Sequence, residues 1–306
     1  MPKRHMCMVK ETAGMNDFFD AIYRFIDSVL PFYWTANTFM KRAFLAVIFI
    51  APTCAAIGVP ATNFRMIFFS HSMSHSAFAG VALGILTGIE PRLAMILFGV
   101  VISIVITNVR RRSELAYDTV IGVFLSLTVA LGIVIVSRNP AVMRSLEAII
   151  YGDILTINEN GILFYILLFF ATMIFLYFSY NRLLLKAINE RLAYSHGVRT
   201  AFYDYTFAIF LAVITIASIR AVGLLLVTAL LVVPAGAARN ISRSARQQFW
   251  FSIIIGIFSG VSAIILSAYY NFATGATIVL VSGIIFLFTQ YAPKLIKSLR
   301  GKKANN

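Results

Sequence analysis

The chain has 306 residues, of which 60% are apolar and only 12% charged, at a mean hydropathy of +0.86. Such a composition excludes a water-soluble surface and implies an all-α polytopic membrane protein, a bundle of about eight or nine transmembrane helices. A net charge of +14 would point to nucleic acid in a soluble domain, but the Lys and Arg residues stand between and after the apolar stretches, so no nucleic-acid partner is expected.

Residues 1–17 are basic but run into Asp20, Arg24 and Asp27 rather than a short apolar core, and no cleaved signal peptide is expected. Between 17 and 34, Phe18, Phe19, Ile22, Phe25, Ile26, Val29 and Leu30 recur at helical spacing against Asp20, Arg24 and Asp27. That pattern predicts an amphipathic helix in the membrane interface, with Tyr33 and Trp34 at headgroup depth. Residues 1–37 are thus a tail with an interfacial helix, 38–291 the membrane domain and 292–306 a basic cytoplasmic tail. Within the membrane domain, spans are expected at about 39–61, 69–88, 93–109 and 119–136, broken after the last by Arg138-Asn139-Pro140. Residues 145–157 hold Glu147, Gly152 and Asp153 and read as a re-entrant or interfacial piece. Later spans are expected at about 161–180, 206–219, 224–238, 249–270 and 276–291. The polar interval 181–203 is either a working loop or a long helical linker.

With a cytoplasmic C-terminus, segments 110–117, 181–203 and 239–248 share its side. Together with the tail they carry about fifteen Lys and Arg, against about four on the opposite turns, the expected inside bias. Cys7 and Cys54 make no CxxC pair, so no disulfide framework or cysteine metal site follows.

The second span carries the chemistry. His71 and His75, two of the four histidines, stand at i and i+4 and project from one helix face. Ser76, Gly80, Gly84 and Gly88 repeat the same spacing, rotated by about 100°, and admit a close neighbouring helix. An imidazole in hydrocarbon is costly without a partner or pathway, so the pair is either a transient metal site or hydrogen-bonded to neighbouring helices with help from Ser70, Ser72 and Ser74. Met73 lies off that face and is assigned to packing. Near the outer mouth, Glu147 and Asp153 attract cations or receive a binding protein, with helix capping as the competing role. No phosphate-binding Gly-rich loop occurs, so any ATP must be bound by another chain, and no HExxH motif supports a hydrolase.

Several stretches in fixed order resemble one family. They are Ser74-His75 with Phe78 to Gly84, Tyr117 to Gly122, Tyr151 to Leu155, Ala221 to Val227 with Leu230 to Ala238, and Thr274 to Leu280. In that order they resemble the membrane permease subunits of bacterial ATP-binding-cassette importers for zinc, manganese or iron. In that family the second span reads Gly-Asp-x-x-Ser-His, and the Asp and His are tied to metal passage. The resemblance carries this role to His75, while His71 occupies the Asp position. Exchanging a hard oxygen for an imidazole shifts the preferred cargo away from manganese toward borderline metals such as zinc, and leaves iron open. The family's cytoplasmic coupling helix matches 189–198, which brings in Asn189, Glu190, Arg191, Ala193 and Gly197.

The resemblance implies a multi-pass protein of the bacterial inner membrane with no enzyme chemistry and no permanently bound cofactor. Its implied partners are a cytoplasmic ATP-binding subunit, an extracytoplasmic metal-binding protein, a second permease copy that is identical or related, and membrane lipid. The other reading is a proton-coupled secondary metal transporter in which protonation of His71 and His75 drives exchange without an ATPase.

Overall fold

In the computed structural model, residues 19–28, 37–138, 152, 154–224 and 226–303 are described. They form α1 (19–28), α2 (Thr38–Asn63), α3 (Ile67–Thr87), α4 (Pro91–Arg112), α5 (Tyr117–Arg138), a 3-10 turn Ile154–Thr156, and α6 (Glu159–Ile188). Then follow a short α7 (Glu190–Ser195), α8 (Thr200–Val222), α9 (Val227–Ile241), α10 (Ala245–Tyr270) and α11 (Thr274–Lys303). Among the described residues, seven helices are long and apolar enough to cross a membrane, and α9 is a shorter apolar one. The histidine helix α3 falls outside both groups because two His and four Ser dilute its apolar run. It nevertheless packs between α4 and α5 and touches α8 and α9. The result is an all-helical membrane bundle in the expected range of eight or nine crossings.

The centre is α2, almost wholly buried and flanked by α6, α9 and α10, with α8 next in burial. Pro52 and Pro60 stay inside α2 without ending it. The small-residue line on α3 meets α4 as expected. A Cβ on Gly80 would lie 2.8 Å from Met95 Cα, and one on Gly84 would lie 2.6 Å from Ala94 Cβ.

Ion pairs identify the two ends of the bundle. Arg42 at the start of α2 pairs with Glu159 at the start of α6 at 2.9 Å, and Lys41 pairs with Asp27 of α1 at 2.6 Å. The far end of α2 brings Phe64 under Lys186, near the close of α6. α1, with Phe19, Tyr23 and Ile26 buried, therefore lies at the end opposite α7. Gly223 (φ 97°) ends α8 and separates it from α9.

Of the two readings of 181–203, the helical one holds: the interval is mostly helix, because α6 continues to Ile188 and α8 already starts at Thr200. Two of the basic residues that mark a loop in sequence find partners at these helix ends instead, Lys186 on Asp204 and Arg182 on the Tyr203 hydroxyl. Of the expected interfacial helix only 19–28 is described, and of 145–157 only Gly152 and the residues from Ile154 on; Tyr33, Trp34, Glu147 and Asp153 lie outside the described residues.

Candidate functional site

From Phe69 to Ala82 every residue of α3 is buried except His71, His75 and Phe78, which lie on one stripe. The two imidazoles stand edge to face with ring centroids 4.7 Å apart. The neighbouring serines do not serve them. Ser70, Ser74 and Ser76 each donate to a carbonyl of their own helix, at 2.8, 3.1 and 2.8 Å. Among the described residues neither imidazole has a hydrogen-bond partner. Met73 is fully buried, as a packing residue should be. Two ring nitrogens from one stripe can hold a borderline cation in part. Among the described residues no group of three or more His, Cys, Asp or Glu side chains comes together to complete such a set.

A second polar centre sits at the basic end. Asp204, on the first turns of α8, is buried, and the buried Lys186 of α6 donates to its carboxylate. Arg111 of α4 pairs with the same carboxylate at 2.5 Å and Arg110 at 3.6 Å. The centre extends to α7 through Glu190, which lies 3.9 Å from Arg111 and 4.0 Å from Lys186. Residues of α4 and α6 thus converge on the Asp204 carboxylate of α8, and α7 joins through its own Glu190. Sequence reasoning missed Asp204, although a signal was present: it is the only carboxylate after Glu190 in a chain whose basic residues gather at that end.

α7 is built as a short surface helix. The Asn189 side chain caps it, accepting from the backbone N–H of Arg191 at 2.9 Å and of Leu192 at 3.2 Å. Gly197 takes φ 74° just after its end, a left-handed conformation that glycine enters freely. Ala193 is its one buried residue, while Leu192 and Tyr194 point outward, 42% and 74% exposed. A cleft of about 420 Å³ opens beside it, lined by Arg182, His196, Arg199 and Tyr203 among others.

At the opposite end, three short stretches meet. Gly152 (φ 62°) lies against the backbone of Gly223, closer than any Cβ would permit, and a Cβ on Gly275 would lie 2.5 Å from the Val222 carbonyl oxygen. Asp118 lies in the first turn of α5, where a carboxylate complements the helix dipole.

Comparison with known proteins gives a uniform result. The ABC 3 transport family matches residues 36–292. The manganese import system permease protein ScaB of Streptococcus gordonii is 29% identical over 274 residues, covering 89% of this chain and 96% of that protein. The high-affinity zinc uptake system membrane protein ZnuB of Haemophilus influenzae is 28% identical over 252 residues, covering 81% and 95%. Among solved structures, a chain of PsaBC from Streptococcus pneumoniae in complex with Fab superposes with a TM-score of 0.74 at 26% identity, over 90% of this chain and 99% of that one.

Proposed function

The chain belongs to the ABC 3 transport family and is the multi-pass permease subunit of an ATP-binding-cassette metal importer whose ATPase is a separate subunit, and from that premise we propose that its cargo is a divalent transition-metal ion, zinc before manganese, which passes His71 and His75 by alternating access. The observation that carries this reading is the open stripe of α3: two imidazoles without hydrogen-bond partners among the described residues, in a helix otherwise buried through its middle. Tetrahedral zinc takes about four ligands. One chain brings two, so a second permease copy facing the same stripe completes the set, and the cation is held only transiently between copies.

Preference for zinc rests on donor type. Manganese is suited by carboxylate and water oxygens, whereas imidazole suits zinc. Its relatives carry manganese or zinc by their names, so the donor at position 71 is the natural place for the difference to arise.

Coupling is assigned to α7, with Asn189, Glu190, Arg191, Ala193 and Gly197 forming the helix that docks on the ATPase. Support comes from its capped geometry, its outward Leu192 and Tyr194, and its ionic link through Glu190 to Asp204. A push on α7 reaches α4 and α8 through that link, and α4 packs directly on α3. Glu147 and Asp153, beside the outer glycine contact in sequence, are proposed to receive the cation or its extracytoplasmic binding protein. Residues 1–37 are proposed as an anchor at the outer interface and 292–306 as a basic cytoplasmic tail.

The test is metal uptake under limitation, read by elemental analysis in cells expressing wild type, His71→Ala and His75→Ala at equal levels. Loss of one metal's uptake in both variants is the expected result, and that metal is the cargo. Unchanged uptake of zinc, manganese and iron in both overturns the paired-imidazole route.

A further inference from the structure

The basic end holds one more polar feature, which takes no part in cargo passage or in the Asp204 centre. Between the ends of α2, α6 and α9 and the start of α10 lies a cleft of about 490 Å³. Arg239, Arg243 and Gln248 line one side, and Leu184 and Ile188 the other. No carboxylate lines it, and the only one that follows Glu190, Asp204, is engaged elsewhere. Neither arginine has an ion-pair partner among the described residues. The N-terminus of the long helix α10, capped by Ser244, opens on the same cleft and adds its partial positive charge.

Gln248 is the independent observation. It is only 6% exposed, lines the cleft, and its Nε2 has no hydrogen-bond partner among the described residues. A buried donor left without an acceptor is costly, and a turn of the carboxamide that exchanges Nε2 with the unburied Oε1 presents the donor to an anionic oxygen in the cleft. Two residues on, Trp250 is 55% exposed, and Ile254 is 59% exposed one turn further. An outward Trp followed by outward aliphatics is how a helix meets the headgroup layer and then the acyl chains. The cleft therefore opens at headgroup depth on the cytoplasmic side.

We propose that this cleft binds the phosphate group of an anionic phospholipid of the cytoplasmic leaflet. Arg239 and Arg243 take the charge through directed N–H donors, Gln248 Nε2 donates to a phosphate oxygen, and the glycerol and first acyl carbons lie along Leu184 and Ile188. The same donors would accept free inorganic phosphate, so the test separates the two sources.

The full-length chain in phosphatidylcholine nanodiscs is titrated with spin-labelled phosphatidylglycerol. Saturable binding is expected, weakened on the order of 10-fold in Arg239→Gln/Arg243→Gln. A charge-matched control pair, Arg65→Gln/Arg112→Gln, is expected to bind as wild type does. Gln248→Leu, which leaves net charge unchanged, is expected to weaken binding on the order of 10-fold or more, as loss of one charge-assisted hydrogen bond does. Should Gln248→Leu not fold, Gln248→Glu takes its place and is expected to abolish binding by repulsion. Equal loss in the control pair overturns the site in favour of diffuse charge, as does wild-type binding by Gln248→Glu. Displacement of the lipid by millimolar inorganic phosphate overturns the lipid source and leaves a free-anion site.

Discussion

The two polar centres of this bundle are finished to different degrees. At the basic end, Asp204 receives Lys186, Arg110 and Arg111 within a single chain, and both Asp204 and Lys186 are out of solvent. On α3, His71 and His75 have each other and, among the described residues, no further donor, and their stripe is the part of the helix that packing leaves open. A buried charge whose partners are all in place behaves as structure, and removing one partner strands the others. A polar pair left open inside a membrane protein is by default a candidate functional site. The difference predicts that the first centre controls whether the protein folds and the second whether it transports.

Asp204→Ala is expected to have the largest effect, a loss of about 3–5 kcal/mol, because it leaves three cations facing one another at a helix junction. Thermal unfolding in detergent, followed by size-exclusion chromatography, reads it. Adding Lys186→Met to Asp204→Asn is expected to be milder than the sum of the two single changes by about 1 kcal/mol or more. Strict additivity would mean that the pair is not coupled and that the comparison fails. Gly84→Ala follows at about 1–3 kcal/mol, since its Cβ would meet Ala94 Cβ at 2.6 Å and push α3 off α4. His75→Ala is expected to leave unfolding within about 0.5 kcal/mol of wild type while metal uptake falls about 10-fold, equivalent to about 1.4 kcal/mol. If its melting point drops as far as that of Asp204→Ala, the histidine is structural. His71→Asp sharpens the reading further: a carboxylate at that position is expected to move the preference from zinc toward manganese in the same uptake measurement.

How much of this was legible depended on whether the cause was local. The apolar runs predicted the crossings, and the i, i+4 spacing predicted that His71 and His75 share a face, because helix period and lipid thickness act residue by residue. Which of the two readings of 181–203 holds was not legible, because Arg182, Lys186 and Asp204 look like loop residues until their partners from other helices are known. Asp204 itself sits in an aromatic stretch, Phe202-Tyr203-Asp204-Tyr205, with nothing local to mark it beyond its isolation as a carboxylate. The outer glycine contact shows the same limit. Gly152, Gly223 and Gly275 each stood in a string that marked the family resemblance, yet only the folded chain shows that Gly152 lies against Gly223 and Gly275 against Val222. Gln248 is a polar residue just inside a helix, and nothing in its neighbours in sequence announces that its amide is buried.

The smallest expected effect tests the link between the two centres. α7 has six residues, too few to hold a helix alone in water, so its order depends on its cap and on Ala193 packing inward. Asn189→Ala removes the acceptor for two backbone N–H groups and is expected to cost about 1 kcal/mol, spent on fraying α7 rather than on the bundle. Glu190 follows directly, and its spacing of 3.9 Å to Arg111 and 4.0 Å to Lys186 lengthens as the helix loosens. Global unfolding should therefore stay near wild type while co-purification of the ATPase subunit and metal uptake decline together. Asn189→Asp, an equally good cap, should restore both. If Asn189→Asp is as damaging as Asn189→Ala, the asparagine acts by touching the partner and not by ordering the helix, and the ionic route from α7 to Asp204 loses its support.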